Sequence, residues 1–86
     1  MAWSIEWTDQ AVRDLSKLEA VVARRVVAKL ERAAETPTRF FVRLAGGDDY
    51  KLRIGDYRLL AVLAHGSETI IVERVDHRGR VYGRRP

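Results

Sequence analysis

Hydrophobic and polar residues alternate along the chain with two periods, first that of a strand and then that of a helix. Near the N-terminus, Trp3, Ile5 and Trp7 alternate with smaller or polar residues, which predicts a half-buried first strand. Thr8 or Asp9 follows at a position suited to capping a helix. The chain is therefore predicted to begin with a strand that leads into a helix.

Two apolar stripes at helical spacing follow the first strand. Their residues are Ala11, Val12, Leu15 and Leu18 in the first stripe, and Val22, Val26, Leu30 and Ala33 in the second. The phase of the pattern changes between Leu18 and Ala20, so we predict a break there and a hairpin of two helices. Pro37 is expected to end the second helix.

From Phe40 onward the pattern becomes that of strands. A short apolar piece and a loop precede three alternating runs, YKLRI, YRLLAVLA and ETIIVERV. Gly55-Asp56 between the first two runs is a strong hairpin signal, and residues 65–67 provide the next turn. The order β-α-α-β-β-β predicts an α+β fold, with a helical hairpin packed on one face of a small antiparallel sheet.

Length and composition limit the number of domains and the kinds of site. The chain has 86 residues, 47% hydrophobic and 33% charged, which suits one domain spanning residues 1–86. It has no cysteine, so disulfides and thiolate metal sites are excluded. The opening MAWSIEWTD has neither the basic start nor the apolar run of a signal peptide or membrane span. We therefore expect a cytoplasmic protein without a membrane partner.

The net charge of +4 is distributed unevenly. Residues 1–50 contain eight basic and eight acidic side chains, whereas residues 51–86 contain eight basic and four acidic ones. A basic tail begins at about residue 78, and no acid follows Asp76. This local charge suits a phosphate backbone, although charge alone favours the simpler interpretation of a solvated basic tail.

The predicted hairpin brings three cations together. With a two-residue turn at Gly55-Asp56, Arg53 lies opposite Arg58, and strand alternation places Lys51 on the same face. Like charges facing each other across strands are mildly destabilising, so a bound anion would explain them. A basic outer surface that keeps the sheet soluble is the alternative.

Other kinds of chemical site find little support in the sequence. His65 and His77 are the only histidines and no carboxylate cluster accompanies either, so we predict no metal site and no cofactor. There is no glycine-rich phosphate loop and no serine or cysteine motif for a covalent nucleophile. The remaining possibility is a site for acid–base and electrostatic chemistry on a bound anion.

Four segments, in their order and spacing, resemble the RelE/ParE toxin superfamily over nearly the whole chain, and specifically its RelE-type ribonuclease toxins. They are the opening strand, RDLSKLEAVVARRVVAKLERAAETP, YKLRIGDYRLLAVL and VERVDHRGRVY. The resemblance implies the toxin of a type II toxin–antitoxin pair, a metal-independent endoribonuclease that cleaves mRNA on the ribosome. It also implies a cognate antitoxin that holds the enzyme inactive.

Carried over by motif position, the resemblance implies a set of catalytic residues: Lys51, Arg53, Arg58, Arg78 and Tyr82. Residues near the end of the chain are expected to contact RNA: His77, Arg80, Arg84 and Arg85. Attack by a 2′-hydroxyl would yield a 2′,3′-cyclic phosphate and a 5′-hydroxyl, with the arginines stabilising the extra charge.

The resemblance identifies the site residues more clearly than it identifies the role of each one. Arg53 stands where some relatives have lysine, and a guanidinium cannot give up a proton near neutral pH. Lys51 is a candidate base, because its like-charged neighbours disfavour an ammonium ion. Tyr82 would stack on a base, orient the hydroxyl or relay a proton.

Two other functions fit the same sequence. A ParE-like toxin would share the fold and poison DNA gyrase, so that its target would be a protein. A non-catalytic member of the fold would bind RNA or the ribosome through the same cations without cutting RNA. An assay of DNA supercoiling beside an assay of translation separates the ParE-like toxin from the ribonuclease. The non-catalytic binder is separated by salt-sensitive RNA binding without new 5′-hydroxyl ends.

Overall fold

The computed structural model describes residues 2–45 and 47–77, which form five strands and three helices. In chain order these are β1 (Ser4–Trp7), α1 (Asp9–Ser16), α2 (Ala20–Ala33), α3 (Pro37–Phe40), β2 (Val42–Arg43), β3 (Asp49–Ile54), β4 (Tyr57–Ala64) and β5 (Thr69–His77). The strands form one sheet in the order β1-β5-β4-β3-β2. Three neighbouring pairs are antiparallel, while β1 runs parallel to β5. The predicted α+β fold class is confirmed.

Local sequence determines where the helices begin and end. Thr8 caps α1, since its hydroxyl accepts a hydrogen bond from the backbone N–H of Ala11 at 3.1 Å. The predicted break between the two helices is confirmed, because α1 ends at Ser16 and α2 begins at Ala20. The prediction that Pro37 ends the second helix is wrong. Pro37 instead starts α3, where its missing N–H would have had no partner in the helix.

The core lies between the helices and one face of the sheet. Its largest fully buried side chains are Val26, Leu30, Leu52, Leu59, Ile70 and Val72, which come from α2, β3, β4 and β5. Burying apolar side chains of this size contributes about 1.5–3 kcal/mol each. The helices thus cover one face of the sheet. Among the helices described, none is both long and apolar enough to pass through a membrane.

The β3–β4 hairpin has the predicted register. Ile54 pairs with Tyr57 and Arg53 with Arg58, so Gly55 and Asp56 form the two-residue turn. Gly55 has a φ of +59°, in the left-handed region that favours glycine. The turn therefore depends on this glycine for its backbone conformation.

We expect Gly55→Ala to destabilise the fold by about 1–2 kcal/mol, the cost of holding an L-residue in the left-handed region. A Cβ at Gly55 would meet no atom within 4 Å, so the effect is conformational and not steric. Gly66→Ala is a matched control, because a Cβ there also meets nothing within 4 Å and its φ lies outside that region. Urea unfolding of both variants measures the difference, and equal free energies of unfolding would contradict the expectation.

A β-bulge interrupts the pairing of β4 with β5. Ala61 pairs with Val72 but Leu60 pairs with Arg74, which leaves Glu73 as the extra residue. After the bulge, each side chain of β5 points to the opposite face of the sheet from the one that unbroken alternation would give it. Val75 consequently enters the core opposite Leu59, and the residue after it faces the other side of the sheet.

Helix α1 is attached to β5 where that strand extends past the end of β1. Asp14, which is buried, accepts hydrogen bonds from the Val75 N–H at 3.0 Å, Arg74 Nε at 2.9 Å and Gln10 Nε2 at 2.8 Å. Burial by itself would raise the pKa of Asp14, but these hydrogen bonds outweigh it and hold the pKa below its ordinary value of 3.8. The carboxylate thus satisfies a backbone donor at an open strand edge.

Candidate functional site

The sheet face opposite the helices carries the cations predicted from the sequence. Because Leu52 and Leu59 are buried in the core, strand alternation directs Arg53 and Arg58 to this open face, together with Lys51. Arg53 is exposed, whereas Lys51 and Arg58 are half-buried. The predicted gathering of these three residues on one face is therefore confirmed.

The open face is ordered in two rows that run across the strands. The first row consists of Arg53 on β3, Arg58 on β4 and Asp76 on β5. The second row consists of Lys51, Leu60 and Arg74 on the same three strands. Directly opposite residues have Cβ atoms about 4.5–5.5 Å apart, so each row is about 10 Å long. The first row thus brings two guanidinium groups and one carboxylate together.

Arg74 links this face to the helices. Its Nη2 lies 3.2 Å from Oδ1 of Asp76, and its Nε lies 2.9 Å from Oδ2 of Asp14. The side chain of Arg74 is 47% exposed, whereas that of Asp76 is 16% exposed. This ion pair orients the carboxylate of Asp76 within the first row.

Asp76 and Arg74 were absent from the residues predicted for the site. Their position depends on the bulge at Glu73, which regular alternation does not show. A signal was present in the spacing of the buried residues Ile70, Val72 and Val75, which changes from two to three. That change is typical of a strand with one extra residue.

His77 lies apart from the cations. It pairs with Tyr57 on the side of the sheet that faces the helices, and their rings meet edge to face with centroids 4.9 Å apart. The two rings line a cleft of about 520 Å³, and Arg74 and Asp76 line the same cleft. The structure does not bring His77 together with Lys51, Arg53 and Arg58.

The other predicted site residues lie outside the described part of the chain. They are Arg78, Arg80, Tyr82, Arg84 and Arg85, which make up most of the predicted basic tail. Their assignments as catalytic or RNA-contacting residues remain predictions.

Charge is polarised along the open face. The cations outnumber Asp76 toward the β3–β4 turn, whereas Asp49, opposite Val62, and Glu6, opposite Ile71, lie toward the other end. An extended anion is therefore attracted to the turn end, where guanidinium forks can each meet two phosphate oxygens. Among residues 2–45 and 47–77, no group of three side chains suited to metal binding occurs.

The sequence is similar to a known family of toxins. A family model described as the ParE toxin of the type II toxin–antitoxin system parDE matches residues 5–82. No curated protein matches the chain in sequence.

The fold is similar to several solved structures. In the toxin–antitoxin complex RelBE2 from Mycobacterium tuberculosis, the similar chain is 30% identical with a TM-score of 0.81, and the match covers 91% of this chain and 100% of that one. The archaeal RelE–RelB complex from Pyrococcus horikoshii OT3 gives 25% identity and a TM-score of 0.79. That match covers 93% of this chain and 99% of the other. The isolated E. coli RelE toxin shares the fold, with 24% identity and a TM-score of 0.77. That match covers 95% of this chain and 93% of the other.

Proposed function

This chain belongs to the RelE/ParE superfamily of type II toxins, and we propose that within it the protein is a metal-independent endoribonuclease that cleaves messenger RNA on the ribosome. Solved relatives include RelE toxins in complex with RelB antitoxins. By analogy, a cognate antitoxin would bind this chain and hold it inactive. The fold alone does not choose between RNA cleavage and gyrase inhibition, because one fold supports several functions.

The observation that carries the ribonuclease proposal is the first row of the open face together with Lys51. Arg53 and Arg58 face each other directly, and a bound anion would offset the repulsion between their like charges. A phosphodiester backbone supplies such an anion. Gyrase inhibition would instead require a surface complementary to a protein, and the cations paired across the strands favour a phosphate backbone over such a target.

The proposed reaction needs four events at one phosphate. The 2′-hydroxyl loses its proton, its oxygen attacks phosphorus, the added negative charge is stabilised, and the leaving 5′-oxygen gains a proton. Arg58 and Arg53 would hold the non-bridging oxygens of the phosphate, where rigid guanidinium groups need no reorganisation as charge develops. We propose that Arg78 adds to this clamp and that Tyr82 stacks on a base or orients the hydroxyl.

Incubating the purified toxin with ribosomes and a defined message tests the proposal. We expect new RNA ends bearing a 5′-hydroxyl, mapped by primer extension, and a loss of these ends when the antitoxin is added. A parallel supercoiling assay with DNA gyrase is expected to show no inhibition. Inhibition of gyrase without RNA cleavage would favour the ParE-like function. Salt-sensitive RNA binding without new ends would favour a non-catalytic binder.

A further inference from the structure

The bulge at Glu73 places a carboxylate in the row of arginines. Had β5 kept the pairing seen at Ala61 and Val72, Val75 would lie opposite Arg58 and Asp76 would face the helices. With the extra residue, Asp76 lies opposite Arg58 instead. Bulges occur often beside active sites, where they redirect a side chain.

The proposed reaction needs a group that accepts a proton, and the cations of the open face are poorly suited to this role. The guanidinium groups of Arg53 and Arg58 cannot be deprotonated in proteins, and a lysine ammonium is already protonated near neutral pH. Carboxylates are ionised in the same range and accept protons. Asp76 is the carboxylate that the register places directly beside Arg58.

We propose that Asp76 is the general base of the ribonuclease site, an inference that rests on the proposed function. Arg58 lies between Asp76 on one side and Arg53 on the other, so a phosphate held by Arg58 has the carboxylate on one flank. Lys51 lies on the opposite flank, on β3. A base and a proton donor on opposite sides of the phosphorus are what in-line displacement requires.

The proton and electron transfers balance with these residues alone. Asp76 takes the proton of the 2′-hydroxyl while the 2′-oxygen forms a bond to phosphorus. The bond from phosphorus to the 5′-oxygen breaks, its electron pair stays on that oxygen, and the ammonium of Lys51 supplies a proton. The products are a 2′,3′-cyclic phosphate and a 5′-hydroxyl. Proton exchange with water then restores the carboxylate and the ammonium ion.

Arg74 acts as a positioning residue for this base. Its Nη2 meets Oδ1 of Asp76 at 3.2 Å, and its Nε is held in turn by Asp14. A carboxylate has two oxygens, so one can pair with Arg74 while the other accepts the proton of the substrate hydroxyl.

The test is to measure single-turnover cleavage of ribosome-bound message by Asp76→Asn, which keeps the shape of the side chain and removes its basicity. We expect the rate to fall about 100-fold or more, the usual contribution of a general base. Asp49→Asn is the matched control, since it makes the same change on the same face beside Val62. Its rate is expected to stay within about twofold of the unmodified toxin, as a solvated carboxylate remote from the reacting atoms contributes little.

Two further measurements separate a base from a structural residue. Binding of an RNA with a 2′-deoxy nucleotide at the cleavage position should be unchanged or tighter in Asp76→Asn, because a negative charge beside the phosphate is removed. Formate added to Asp76→Ala should restore part of the lost rate, since a small carboxylate can replace the missing base. Weaker binding in proportion to the lost rate, or no rescue by formate, would overturn the assignment.

The outcomes also separate this inference from the proposed function. If the unmodified toxin cuts RNA and Asp76→Asn cuts equally well, the base lies elsewhere and only this inference fails. If Glu73→Gln abolishes cleavage while Asp76→Asn does not, the neighbouring bulge residue is the base and the assignment to Asp76 is wrong. If the unmodified toxin yields no 5′-hydroxyl ends, the proposed function itself fails, and the role of Asp76 fails with it.

Discussion

Arg58→Ala is expected to reduce cleavage of ribosome-bound message about 100-fold to 1,000-fold, the usual effect of removing a preorganised group that stabilises transition-state charge. Arg58 occupies the centre of the first row, with Arg53 on one side and Asp76 on the other. Its guanidinium would meet two phosphate oxygens from the centre of the row, and Arg53 would contact the phosphate from one side only. Single-turnover rates at saturating toxin measure the effect on the chemical step.

Two companion variants identify the cause of this loss. Arg58→Lys keeps the charge but not the planar fork, so we expect an intermediate rate, about 10-fold below the unmodified toxin. Arg25→Ala removes an equal charge from an exposed position on α2, and we expect no change in rate. Full activity of both Arg58→Ala and Tyr82→Phe would refute the site.

The sequence was sufficient to predict the β3–β4 hairpin and the cations on it. A two-residue turn at Gly55-Asp56 leaves one register, and a strand period of two then assigns every side chain to a face. Local rules of this kind need no knowledge of distant residues. The gathering of Lys51, Arg53 and Arg58 was therefore predictable before any coordinates.

The rest of the open face depends on contacts between distant parts of the chain. Because Glu73 is an extra residue, each later side chain of β5 points to the opposite face of the sheet from the one that regular alternation predicts. Asp76 therefore lies on the open face and His77 on the helix side. Similarly, two of the three hydrogen bonds of Asp14 join it to residues 60 and 61 positions away in sequence. The pattern of a single segment does not reveal such tertiary contacts.

The pairing partner of β1 also could not be predicted from the local pattern. Alternation of Trp3, Ile5 and Trp7 indicates a strand, but it does not say which strand is the neighbour or in which direction it runs. In the structure β1 joins β5 in parallel, with Ile5 opposite Ile70 and Trp7 opposite Val72. The whole segment from α1 to β4 lies between these two strands in the chain, which gives the long connection that parallel neighbours need.

Asp14→Ala is expected to destabilise the protein by about 2–3 kcal/mol, although Asp14 lies in a helix and is linked to the proposed base only through Arg74. The variant leaves the Val75 N–H without its acceptor inside the structure and removes a charge-assisted bond to Arg74. A buried donor left unsatisfied costs about 1–3 kcal/mol. Thermal unfolding should shift by roughly 4–8 °C per kcal/mol for a domain of this size. Asp48→Ala, at an exposed loop position, should leave the midpoint nearly unchanged.

The dependence of this effect on pH shows whether the carboxylate acts through its charge. Because hydrogen bonds hold the pKa of Asp14 below 3.8 in the folded state, its contribution is fully present above that value. It is lost as the pH falls through the lowered folded pKa. The difference in stability between the unmodified protein and Asp14→Ala should therefore be constant near neutral pH and shrink as the solution is taken below 3.8. A difference that stayed the same down to about pH 2 would show that packing at this position matters and the charge does not. Since Asp14 also holds Arg74, the same titration reports on the ion pair that orients Asp76 at the site.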